Sequence, residues 1–85
     1  MSLGDYVGYP GKYWELSQCP WLDIITVSSL GACMAACEQH NDCTAIVYDH
    51  DDTSRNCRLL KCPAPVPQPS GTNADWTGYA KRIGR

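Results

Sequence analysis

The chain has 85 residues, a formal net charge of −2 and six cysteines. So short a chain makes one small domain whose core needs reinforcement by cross-links or metal. Its charge gives no electrostatic reason to hold nucleic acid or an anionic membrane, since Lys81, Arg82 and Arg85 form only a weak basic end.

Residues 1–11 read as an irregular N-terminal lead-in rich in Gly and Tyr, with Met1-Ser2-Leu3 an artificial start. Lys12 to Gln18 alternates, Trp14 and Leu16 against Tyr13, Glu15 and Ser17, as a half-buried strand does, and Cys19-Pro20 ends it. Asp23 to Val27 is β-favouring, either strand or packed loop, and leads into a Ser28-Ser29 cap.

Leu30, Cys33, Met34 and Cys37 then recur at i, i+3, i+4 and i+7, which predicts a helix with two cysteines facing the core. Asn41-Asp42 stops it. His40 reads as a residue of the helix C-terminus, favourable to the dipole there. Thr44 to Tyr48 is a second strong strand and Asn56 to Lys61 a third, with Asp49 to Arg55 as the polar hairpin tip between them. Residues 63–74, with prolines at 63, 65, 67 and 69, predict extended polyproline or a mobile loop. Asp75 to Lys81 favours a last strand, and residues 83–85 are a tail.

Cysteine in this density reads as a disulfide framework formed in an oxidising compartment. The expected location is therefore extracellular or cell-surface, reached by the secretory pathway. Without a signal peptide in view, the chain is expected to be mature or excised from something larger, and no run is long and apolar enough to insert in a membrane. Six cysteines allow fifteen complete pairings. Residues four apart on a helix hold their Cβ atoms about 5 to 6 Å apart where a bridge wants about 3.5 to 4.5 Å, which argues against Cys33 with Cys37.

The spacing Cys33-x3-Cys37-x5-Cys43, the apolar Ala45-Ile46-Val47-Tyr48, a polar loop, Cys57-Arg58-Leu59 and the closing Trp76-Thr77-Gly78-Tyr79-Ala80-Lys81 together resemble the PAN/apple domain pattern over residues 12–82. The resemblance implies an α+β, disulfide-rich domain, one helix packed on an antiparallel sheet of about five strands. It also implies the bridges Cys33 to Cys57 and Cys37 to Cys43, leaving Cys19 and Cys62. On that last pair the chain departs from the family pattern, whose final cysteine follows the last strand. Members of such a family are extracellular recognition or adhesion modules for proteins or sugars.

Other chemistries are weaker. Cys33, Cys37, His40 and Cys43 offer soft zinc ligands, but they lie on successive turns and converge poorly on a tetrahedral centre. Asp49, Asp51 and Asp52 suggest calcium, yet the sixth and twelfth positions counted from Asp49 are Ser54 and Leu60 where an EF-hand needs Gly and Glu. We expect no cofactor, no metal and no catalysis, because an even cysteine count leaves no free nucleophile and no serine has an activating setting.

What remains is a non-enzymatic module binding an extracellular protein, or alternatively a lectin-like apple domain binding a glycan, or a unit that orients neighbouring domains. The candidate ligand residues are Asp49, His50, Asp51, Asp52 and Arg55 on the tip, and Trp21. Tyr6 and Tyr9 are further exposed candidates, while Trp14 and Trp76 read as core and Tyr48 as packed beneath the hairpin.

Overall fold

A computed structural model describes residues 6–81. Five strands form one antiparallel sheet: β1 (Tyr6–Tyr13), β2 (Trp21–Ile25), β3 (Ala45–Asp49), β4 (Cys57–Leu60) and β5 (Gly71–Lys81), with a single helix α1 (Leu30–Gln39) between β2 and β3. In space the strands run β1-β5-β3-β4-β2, so the two chain-terminal strands pair and the hairpin β3-β4 sits inside. The α+β architecture read from the sequence holds. Residues 1–5 of the lead-in and the tail 83–85 lie outside the described residues.

The helix begins where the chain offers a cap. The Ser29 side chain accepts a hydrogen bond from the Ala32 amide at 3.2 Å, satisfying one of the donors that a first turn leaves open. Cys33, Met34 and Cys37 are the buried face, and they pack with Ile46, Cys57 and Leu59 on the sheet. The helix ends at His40, whose amide reaches the Cys37 carbonyl and whose Nδ1 accepts from the Asp42 amide.

Three bridges close the framework: Cys33 with Cys57 ties helix to β4, Cys37 with Cys43 pins the chain as it leaves the helix, and Cys19 with Cys62 joins the segment after β1 to the segment just past β4. All six sulfurs are buried.

The sheet has a second core on the face away from the helix. Ala45, Val47, Leu60 and Ala80 turn that way, and Trp14, Cys19, Cys62 and Val66 cover part of them. Trp14 is fully buried and lies against β5 at Gly78, where a Cβ would meet its Cζ3 at 2.7 Å. Only glycine permits that approach.

Four readings need correction. The lead-in is not irregular: from Tyr6 it is strand β1, because Gly8, Pro10 and Gly11, which look like turn residues locally, find ladder partners or a bulge against β5. The strand expected over Lys12 to Gln18 stops at Tyr13, and Glu15 accepts the amides of Gln18 and Cys19 in a turn. The loop expected over 63–74 ends at Ser70, since Gly71 already pairs with Tyr13. Finally, the prolines are anchored. The Trp14 indole donates to the Pro67 carbonyl at 2.7 Å, and Gln18 Nε2 donates to the Gln68 carbonyl at 2.7 Å.

Candidate functional site

The hairpin tip is built by side chains that imitate backbone. Asp49 ends β3, and its Oδ1 accepts from the Asp51 amide; Asp52 Oδ1 accepts from the Ser54 amide. These are Asx turns. Arg55 takes a left-handed backbone conformation, φ 54°, and its amide donates to Thr26 Oγ1. Asn56 is buried and doubly bonded to Val27, accepting from its amide and donating to its carbonyl. The tip is thereby tied to the connection between β2 and α1.

The tip residues do not converge on one place. His50 belongs with the helix side of the sheet: its Nε2 lies 2.8 Å from Thr77 Oγ1 and its ring meets Tyr48 edge to face. Asp51, Asp52 and Arg55 are exposed at the tip itself. Asp49 is nearly buried, opposite Trp76 on β5. Tyr6 is not an exposed binding residue either. It is buried against the helix, its hydroxyl 2.9 Å from Glu38 Oε2, and Tyr9 packs edge to face on Trp14.

Trp21 sits on the opposite face from α1, and a backbone irregularity puts it there. The β2 register against β4 slips between Trp21 and Asp23, so Trp21 and Ile24 face away from the helix while Leu22 and Ile25 pack beneath it. Strict alternation would have sent Trp21 and Ile24 to opposite sides.

That slip places Trp21 beside Arg58, a residue the sequence reading passed over. Arg58 is the outward residue of β4 between Cys57 and Leu59, cross-strand from Ile24 and Val47. Its guanidinium lies 4.5 Å from the ring centroid of Trp76 and 5.5 Å from that of Trp21. Both are cation–π distances. Trp76 is in turn held edge to face by Tyr13, centroids 4.7 Å apart. An aromatic and cationic band thus crosses the free part of the sheet, Trp21 on β2, Arg58 on β4, Trp76 on β5 and Tyr13 on β1.

The polar accounting of this band is incomplete. Arg58 Nε and Nη1 and Trp21 Nε1 are buried with no hydrogen-bond partner among the described residues. Burial pushes the Arg58 pKa below the ordinary arginine value; Asp49 raises it, Arg55 lowers it and Asp52 raises it. The group is still a cation at neutral pH. The signal that could have found it is the strand alternation itself, which turns Arg58 away from the buried Cys57 and Leu59.

All six cysteines are bridged. Among the described residues, no group of three or more His, Cys, Asp or Glu is placed to hold a metal ion. No described helix is long and apolar enough to cross a membrane.

No curated protein and no solved structure matches the chain significantly. A family model, the PAN domain, matches residues 15–83. The match takes in the helix, all three bridges and Trp21, Arg58 and Trp76, and leaves out β1 with Tyr13. The chain is therefore a member of the PAN domain family, protein- or carbohydrate-binding modules of extracellular proteins that are generally non-catalytic.

Proposed function

We propose that this domain is a non-enzymatic recognition module, carried in a larger secreted or cell-surface chain, that binds a protein partner. The observation that carries the reading is the band Trp21, Arg58, Trp76 and Tyr13 on the sheet face that α1 leaves free. Trp, Tyr and Arg are the residues in which protein interfaces concentrate their binding energy. Here they stand on strands of one hydrogen-bonded sheet, of which β4 is tied to α1 beneath it through Cys57, so little is lost in ordering them on association. Three bridges in so small a domain support folding in the secretory pathway.

A lectin reading draws on the family and on the residues Asp49, Asp51, Arg55 and Trp21. It is less favoured because these are spread between the tip and the sheet, and because the Trp21 ring that would stack on a sugar is turned toward Arg58.

The test is to screen the oxidised domain on an array of extracellular proteins and, in parallel, on a glycan array. Saturable protein binding that is lost on reduction of the bridges is expected. Binding that simple sugars compete away, with no protein hit, would reverse the order of the two readings, and turnover of any substrate would count against both.

A further inference from the structure

We propose that the Arg58 face is a socket for one carboxylate, the Asp or Glu side chain of the protein partner; this rests on the reading of the domain as a protein-binding module. Arg58 Nε and Nη1, and Nε1 of the neighbouring Trp21, are buried without an acceptor among the described residues. Each carries the desolvation cost of an unmade hydrogen bond, and all three are donors, so the missing group is an acceptor. A guanidinium is best matched by a planar oxyanion that takes two bonds at once. The planar guanidinium presents such an anion with paired donors along two edges, Nε with Nη2 and Nη1 with Nη2, so one carboxylate takes one covered nitrogen together with Nη2, and the indole of Trp21, at the start of the edge strand β2, is the wall that turns aside to admit it.

The surroundings limit the ligand to a single charge. Asp49 and Asp52 act on Arg58 through their fields, and Asp51 is exposed beside them. A polyanion such as a sulfated glycan or a nucleic acid would bring several negative charges against these carboxylates, whereas one carboxylate meets Arg58 with the indoles excluding water around it. Flanking aromatic rings also supply apolar contact of the kind a polypeptide side chain and its neighbours offer.

The experiment uses the full oxidised chain, isotopically labelled, titrated with acetyl-Gly-Glu-Gly-amide, its Gln counterpart and glucuronate, while the Arg Nε–H and indole N–H resonances are followed. The Glu peptide should move the Arg58 and Trp21 signals saturably, at least about ten-fold more tightly than the Gln peptide, as the loss of a charge-assisted pair requires. Arg58→Gln should abolish the response. Arg58→Lys, which keeps the charge but not the planar fork, should weaken it. Equal response to Glu and Gln peptides, or no saturable response, overturns the socket whether or not either variant folds. Glucuronate binding about ten-fold tighter than the Glu peptide overturns it in favour of a sugar acid. If the protein array gives a partner whose affinity Arg58→Gln leaves unchanged, the socket fails and protein recognition stands; a glycan hit with no protein hit removes the reading beneath it.

Discussion

Replacing each bridge in turn by a pair of alanines separates what the cross-links contribute from what the core contributes. The sequence separations are 43 for Cys19–Cys62, 24 for Cys33–Cys57 and 6 for Cys37–Cys43. Loop-closure entropy then assigns them about 4, about 3.5 and about 2 kcal/mol. Every one of the six sulfurs is buried, so truncation adds roughly 1 kcal/mol per residue in all three variants and leaves the ranking to loop length. A chain of 85 residues has a total stability of about 4 to 13 kcal/mol. Urea unfolding, followed by tryptophan fluorescence at 25 °C, should therefore show Cys37→Ala/Cys43→Ala folding cooperatively with a lowered midpoint. Cys33→Ala/Cys57→Ala and Cys19→Ala/Cys62→Ala should lie well below it, at or past the edge of stability. If the short-loop variant proves the least stable, or the three are indistinguishable, loop closure is not what the bridges supply, and the rigid-scaffold reasoning loses its basis.

Gly78→Ala puts a methyl group 2.7 Å from Trp14 Cζ3 and 3.2 Å from the Lys12 carbonyl, so it should cost about 1 to 3 kcal/mol and lower the melting temperature accordingly. An unchanged melting temperature would mean that Trp14 is not seated on β5. Asn56→Ala leaves the Val27 amide and carbonyl without their partners and should cost about 2 kcal/mol in urea unfolding, with Asn56→Asp recovering only the bond to the amide. Tyr79 has its pKa raised by burial, with a hydrogen bond to Thr77 opposing. The folded state thus holds this proton more tightly than the unfolded chain, so its contribution is complete below about pH 10 and is lost as pH rises beyond it. Tyr79→Phe should flatten the alkaline fall in the urea midpoint, and an identical fall in both proteins would contradict the assignment.

The parts of the fold legible in the residues are those set by local period. Leu30, Cys33, Met34 and Cys37 mark one helix face, and β3 and β4 show as apolar or alternating runs around a polar tip. What escaped depends on partners far along the chain. Residues Gly8, Pro10 and Gly11 have poor strand propensity, yet β1 exists because β5 supplies its ladder and Tyr6 finds the helix. Trp14 reads locally as one residue of an alternating strand, but it leaves the strand and becomes the centre of a second core roofed by the prolines, a contact between residues 53 apart. The site divides in the same way. Asp49 to Arg55 was visible as a tip because turn chemistry is local. The outward turn of Arg58 follows from the alternation of β4, but its meeting with Trp76 needed the strand order, and its meeting with Trp21 the slip in register, neither of which has a signature in a single strand.

The account rests on the sheet face opposite α1 being the surface that meets the partner. Hydrogen-exchange protection, read residue by residue on the oxidised domain with and without a protein captured on the array, tests this directly. Protection centred on β2 and β4 around Trp21 and Arg58, and on β5 at Trp76, is the predicted result. Protection confined to the exposed face of α1 or to residues 50–55, with β2 and β4 unchanged, would contradict it.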